Sequence, residues 1–163
     1  MTDQKTMLNT ILKLALASLQ EKFPNFVMDG IPEQLSGGFL NYVWRVQGRK
    51  GSDPESFIVK WTPAYIASAP DVPLDPARIF IEASAMSLFE KGEALEEISQ
   101  NGIRPPRLYH LDKERQLLFM EDLGQSPNLG DWLQSPHTQL EAETIGRSLG
   151  EFIGALHRSE ERR

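Results

Sequence analysis

The chain has 163 residues, 40% of them hydrophobic and 25% charged, which suits a soluble globular fold of one domain, or one domain and a small appendage. A formal net charge of -6 excludes a global basic field that would recruit nucleic acid or an acidic membrane, though a local positive cluster can still hold an anionic ligand. With no cysteine there are no disulfides, thiolate nucleophiles or cysteine-ligated metals, and no apolar run reaches the length needed to span a bilayer.

The N-terminal stretch "MTDQKTMLNTILKLALASLQEKF" interleaves polar and acidic residues with apolar ones and lacks a secretory layout, so the expected location is cytoplasmic. Met7, Ile11, Leu14 and Leu19 recur at helical spacing and predict an amphipathic helix over residues 5–22. Leu40, Tyr42, Trp44 and Val46 then alternate with Asn41, Val43 and Arg45, the period of a strand. "GRKGSDP" reads as a turn and "ESFIVKW" as the second strand of a hairpin, followed by a loop carrying Pro63, Pro70, Pro73 and Pro76. Asp75 as N-cap and Pro76 at the first helical position mark a helix running to Phe89 or on to Ser99, with Gly92 a weak point and Asn101-Gly102 the stop. "PPRLYHLD" and "RQLLFMEDL" form another strand pair turning at Lys113-Glu114, "GDWLQ" is a short helical piece, and residues 138–159 close as a helix with Leu140, Ile145, Leu149, Phe152, Ile153 and Leu156 near one face. Because most connections are hairpins, the fold class is α+β, an antiparallel sheet with a helix packed on it.

In "FIVKW", Phe57, Val59 and Trp61 point one way and Ile58 and Lys60 the other. Lys60 can lie on a solvated sheet face, or it can meet Glu82, which sits in the first turns of the next helix and could bring its carboxylate to the ammonium. Glu82 has a plainer option in a surface pair with Arg78 one turn before it, and both arrangements can hold together.

The stretch "LSGGFLNYVWRV" is either an ordinary hairpin turn or a loop kept bare so that a phosphate can approach the backbone. Laid on the kinase pattern G-x-G-x-x-G-x-V, Ser36, Gly38 and Asn41 take the glycine positions and Val43 the valine, so the match retains one glycine of three. The physical task survives that loss. Gly37 and Gly38 permit close approach of main-chain amides, Asn41 offers a side-chain amide donor, and Val43 on the face of Asn41 is placed to contact an apolar base. A lysine against the α- and β-phosphates, held by a helix glutamate, completes an ATP-binding half-site.

Taken in order, "LSGGFLNYVWRV", "FIVKW", "RIFIEASAM", "PPRLYHLDKERQLLFMEDL" and "LGEFIGALH" resemble the aminoglycoside phosphotransferase and choline-kinase-like small-molecule kinases, and within them most closely the methylthioribose kinases. The resemblance covers most of the chain from Leu35 onward. It implies a protein-kinase-like N-lobe, an antiparallel sheet of about five strands with a packed αC-type helix and flanking N- and C-terminal helices. It further implies a division into an N-terminal helix (1–24), an ATP-binding lobe (25–124) and a linker with the start of a second lobe (125–163). By similarity Lys60 binds the nucleotide phosphates, Glu82 orients it, and "MEDL" (Met120, Glu121, Leu123) is the hinge whose backbone groups hydrogen-bond adenine.

The family's chemistry resides in a second lobe with an H-G-D-x-x-x-x-N loop and a later aspartate for Mg2+. Here His110 has Asp112 two residues on, but Leu117 stands where the asparagine should be and the segment falls in a hairpin turn; His137 lacks a partner carboxylate, and His157 reads as structural. The expectation is an ATP-binding lobe with ATP and a small-molecule acceptor as ligands, Mg2+ ligands and possible partner sequence in a missing second lobe, no catalytic residue of its own and negligible activity alone. Two alternatives stand beside it, a non-catalytic kinase-like module that binds nucleotide or protein, and a plain α+β scaffold without a ligand.

Overall fold

The computed structural model describes residues 2–36, 38–99 and 102–160. In chain order its elements are α1 (Thr2–Lys22), β1 (Glu33–Leu35), β2 (Tyr42–Gln47), β3 (Ser56–Trp61), β4 (Tyr65–Ile66), β5 (Ala69–Pro73), α2 (Arg78–Ser87), α3 (Glu96–Ser99), β6 (Leu108–Asp112), β7 (Leu117–Glu121), α4 (Leu129–Gln134) and α5 (Gln139–Glu160). The chain divides into two units, Met1–Ser84 with Arg107–Asp122, and Ala85–Pro106 with Leu123–Arg163.

The first unit is built on a five-stranded sheet in the order β1-β2-β3-β7-β6. Every neighbouring pair is antiparallel, and the α+β class with hairpin-connected strands is as the sequence predicts. Strand alternation decides what each face buries. Tyr42, Trp44 and Val46 of β2, Phe57, Val59 and Trp61 of β3, and Leu117 and Phe119 of β7 form one cluster with Ala15 and Leu19 of α1. Phe57 is its pivot: fully buried, it meets Phe23, Phe26 and Tyr109 at ring-centroid distances of 4.8, 4.9 and 5.2 Å. Burying a side chain of that kind contributes about 1.5–3 kcal/mol before ordering costs. Gly48 lets Phe26 lie down on the sheet edge, because a Cβ there would fall 2.6 Å from the Phe26 ring.

The helix α1 packs on the sheet through Met7, Ile11 and Leu19 as expected, but not through Leu14. Leu14 is exposed, and the contact line runs through Met7, Leu8, Ile11, Leu12, Ala15 and Leu19. The physical reason is rotational: position 14 lies a residue off the i, i+4 row on which Ile11, Ala15 and Leu19 stand.

The glycine-bearing stretch is a hairpin connection, but a wide one. Leu35 pairs with Val43, so the connection from β1 to β2 spans residues 36–41. The proline-rich segment, expected as loop, contains a small ribbon in which β4 pairs with β5. Pro70 and Pro73 are tolerated there because a two-stranded ribbon consists only of edges. The helix expected from Pro76 starts at Arg78, with the Asp75 carboxylate accepting the Ala77 N–H at 2.8 Å, and it ends at Ser87 ahead of Gly92, whose φ is 85°. The expected stop at Asn101 lies outside the described residues.

The second unit holds α3, α4 and α5. Phe89 stacks on Phe152 of α5 at 6.0 Å, and Leu95 and Ile98 are buried. Ile145, Leu149 and Leu156 are half-buried, whereas Leu140 and Ile153, placed on the same expected face, are exposed. Among the described residues no helix is long and apolar enough to cross a membrane.

The turn from β6 to β7 is fixed by a buried carboxylate. Asp112 accepts from Ser18 Oγ at 2.7 Å, from the Arg115 guanidinium at 2.7 Å and from the Arg115 N–H at 3.0 Å. Burial pushes this carboxyl up, but the three hydrogen bonds together outweigh it and hold the group below its ordinary value. A folded value below the unfolded one means stabilisation that is present above pH 3.8 and lost as pH falls through the lower folded value. Asp112→Asn should therefore cost about 1–2 kcal/mol at neutral pH and flatten the acid limb of the stability curve. Urea unfolding from neutral into acid pH checks this, and an unchanged acid slope contradicts it.

Candidate functional site

The face of the sheet opposite α1 carries the residues that the sequence marked. Directly paired residues of an antiparallel ladder point to the same side. Val43, Lys60 and Leu118 thus form one row, and Arg45, Ile58 and Met120 the next. Ile58 and Leu118 are buried and Val43 and Met120 half-buried, so Lys60 sits among apolar side chains, with the buried Arg45 in the next row. The helix α2 answers the Lys60 ammonium. Lys60 Nζ donates to both Glu82 carboxylate oxygens, at 2.6 and 2.8 Å, which places α2 over this face. The pair is only half-shielded, with the Lys60 side chain 16% and the Glu82 side chain 36% accessible, so a ligand can still reach it.

Among the described residues Arg78 forms no ion pair with Glu82 and turns instead to the chain around it. Its Nη1 donates to the carbonyls of Asp75 (2.7 Å), Pro63 (3.2 Å) and Leu74 (3.3 Å). Its Nη2 donates to the Leu40 carbonyl at 3.1 Å and to Asn41 Oδ1 at 2.9 Å. Burial lowers the Arg78 pKa from its ordinary value, with the nearby Asp75 and Glu82 charges opposing that shift.

The remaining marked residues divide. Ser36 and Gly38 are exposed in the connection between β1 and β2, and Gly37 lies outside the described residues. The Gly38 φ is not left-handed, and a Cβ there would meet only the Asn41 carbonyl at 3.4 Å, so backbone geometry does not demand glycine at this position. Met120 closes the apolar row. Glu121 points to the other face, where its N–H donates to the Arg107 carbonyl at 2.9 Å and its carboxylate accepts the Arg107 N–H at 3.0 Å. Leu123 is exposed and belongs to the second unit.

Sequence reasoning passed over the residue between them. Asp122 accepts from Arg45 Nε at 2.7 Å, from Arg45 Nη2 at 3.0 Å and from Ser56 Oγ at 2.8 Å. Glu33 lies 3.6 Å from the same guanidinium, and hydrogen bonding to Asp122 raises the Arg45 pKa above its usual value despite burial. This two-pronged bond pins the end of β7 to β2 and β3. The signal was present: Arg45 is an arginine at a strand position whose neighbours on that face are apolar.

A separate cavity of about 330 Å³ lies at the end of α1, lined among others by Glu21, Lys22, His110, Asp112 and Arg115. It contains the His110–Asp112 segment, which stands in β6 as a strand with its carboxylate already bound, and none of the residues around Lys60. Burial is the main reason that the His110 ring sits below its ordinary pKa, with Lys22 adding to the shift. Among the described residues no three His, Cys, Asp or Glu side chains converge as metal ligands.

Breaking the Arg45–Asp122 pair should be costly, since both side chains are nearly inaccessible, at 9% and 5%. Asp122→Ala is expected to lose about 3 kcal/mol by stranding a buried guanidinium, and the double variant Arg45→Met with Asp122→Leu to recover most of it. Chemical denaturation of the three variants decides; equal losses in the single and double variants would contradict the assignment.

No family model matches the chain. Over 128 residues, 77% of its length, it is 28% identical to a 4-hydroxytryptamine kinase of Psilocybe cyanescens and 26% identical to a 4-hydroxytryptamine kinase of Psilocybe cubensis. The aligned segment is 36% of the first protein and 35% of the second, so the chain spans little more than a third of the curated relatives it matches. Both relatives bear the name of a small-molecule kinase.

Proposed function

We propose that residues 25–124 are the ATP-binding lobe of a small-molecule kinase, preceded by a helix at 1–24 and followed by a linker and the start of a second lobe at 125–163. The observation that carries this reading is the bidentate Lys60–Glu82 bond beneath an apolar sheet face. A lysine oriented in this way presents its ammonium to the α- and β-phosphates without waiting for a side chain to search for them. Asn41 and the backbone of Ser36 and Gly38 then cover the phosphates. Val43, Ile58 and Met120 supply the apolar surface on which adenine lies, and the backbone of Glu121 and Leu123 serves as its hydrogen-bonding edge. The Glu121 N–H itself is donated to the Arg107 carbonyl.

The wider assignment is to the aminoglycoside phosphotransferase and choline-kinase-like kinases, the methylthioribose kinases nearest among them. The acceptor is a hydroxyl of a sugar or amino-alcohol, to which the relatives' name adds a hydroxylated amine. Mg2+, when bound, neutralises charge on the transferring phosphoryl group. The residues here do not make a site for it, because Glu82 is held by Lys60 through both oxygens and no acidic cluster stands beside it among the described residues. Its ligands, and the base that would accept the hydroxyl proton, belong in this reading to a second lobe. Exposed Leu129, Leu133, Leu140 and Ile153 in the second unit agree with an apolar surface that further sequence would cover. One other reading stands beside this one, a kinase-like module that binds nucleotide or protein without catalysis.

Calorimetry with Mg-ATP tests the proposal. Millimolar or tighter binding is expected, and Lys60→Ala should weaken it by about 10- to 100-fold, the worth of a charge-assisted contact. Adenosine affinity should stay unchanged. No ATP binding by the parent chain, or equal ATP binding by Lys60→Ala, contradicts the assignment. Phosphoryl transfer by this chain alone would remove the two-lobe part of it.

A further inference from the structure

We infer that Arg78 is a positioning residue that aims the side-chain amide of Asn41 at the bound phosphates and ties it to the helix turn bearing Glu82. The inference rests on the nucleotide reading above and names a residue which that reading does not use. Arginine has donors only, so the Asn41 atom 2.9 Å from its Nη2 must be the carbonyl oxygen. The orientation of the amide is thereby decided: Oδ1 is held from the α2 side and the NH2 group is the end turned away from it. The backbone carbonyl of Leu40, one residue earlier, is held by the same nitrogen at 3.1 Å.

Other bonds hold the loop but cannot set that orientation. The Ser68 N–H donates to the Phe39 carbonyl at 3.0 Å and the Ala67 N–H to the Leu40 carbonyl at 3.4 Å, both through backbone. These restrain the chain and leave the Asn41 side chain free to rotate if Arg78 is lost. The other arm of the fork grips Asp75, one residue before the helix-opening turn, and Arg78 precedes Glu82 by one turn of α2. A single rigid turn thus sets both the carboxylate that orients Lys60 and the guanidinium that orients Asn41. Arg78 Nε is buried with no partner among the described residues. A lysine could not take its place, since one ammonium lacks the planar fork that reaches acceptors on both sides.

The test compares Arg78→Met, Arg78→Lys, Asn41→Asp and the Arg78→Met/Asn41→Asp double variant. Asn41→Asp keeps the acceptor for Arg78 and removes the donor. Without nucleotide, the side-chain NH2 signals of Asn41 in a nitrogen-15 spectrum should move to positions of a freely rotating amide in both Arg78 variants. With Mg-ATP, Arg78→Met should lose about tenfold in affinity, the value of one hydrogen bond, with adenosine binding unchanged. The double variant should lose no more than Asn41→Asp alone, because the two residues act through one amide. Unmoved Asn41 signals, additive losses, or ATP and adenosine affinities falling together would overturn the inference. If Arg78→Met fails to fold, Arg78→Lys carries the same comparison. If the parent chain binds neither ATP nor adenosine, the nucleotide reading falls, and the Asn41 signals still decide whether Arg78 orients that amide.

Discussion

A lysine on an inner strand must find its counter-charge from outside the sheet, and here Glu82 supplies it. β3 lies between β2 and β7, so its backbone is committed to two ladders and its side chains alternate between two environments. Phe57, Val59 and Trp61 enter the core under α1, which leaves Ile58 and Lys60 on the far face. An ammonium among Ile58, Leu118 and Val43 without a partner would cost several kcal/mol in desolvation. The bond to Glu82 removes that cost and in doing so brings α2 over the sheet. The position of the helix, the direction of the ammonium and the remaining apolar face all follow from that one contact.

Two further ion pairs fix the edges of the same unit. Arg45 and Ser56 hold Asp122 where β7 ends, next to the residues assigned to adenine. Ser18 and Arg115 hold Asp112 where β6 turns into β7. Each is a carboxylate accepting three hydrogen bonds, and each clamps a point where the chain leaves a strand. The sheet centre is held largely by apolar packing and its exits by charge, so the polar groups on the Lys60 face other than Lys60 itself, Arg45, Ser56 and Asp122, are bonded to one another. A net charge of -6 gives no long-range attraction for an anion, so phosphate affinity has to come from groups as local as these.

What could be read from the sequence was set by periodicity. The alternation of Tyr42, Trp44 and Val46 placed β2 and its buried face, and "FIVKW" placed Lys60 opposite to Phe57, because a period of two leaves no freedom in which side faces the core. Glu82 was recoverable because its helix starts at a marked cap. Short elements were not. β1 has three residues and β4 two, too few to show a period, and both exist because a neighbouring strand offers them hydrogen bonds. The partners of Arg78 and the role of Asp122 were missed for a related reason. Their partners lie 37 and 77 residues away, and only the assembled sheet brings those carbonyls and guanidinium groups into reach. Leu14 shows the limit of an apolar pattern, since several rows of an amphipathic helix look alike until one of them is pressed against the sheet.

The most direct test of the account is a nitrogen-15 amide spectrum of the chain titrated with Mg-ATP. The account predicts saturable shifts confined to Gly38–Tyr42, to Ile58 and Lys60, and to Leu118–Leu123. Shifts centred instead on Lys22, His110 and Arg115 at the end of α1, or no shift at millimolar nucleotide, would contradict it.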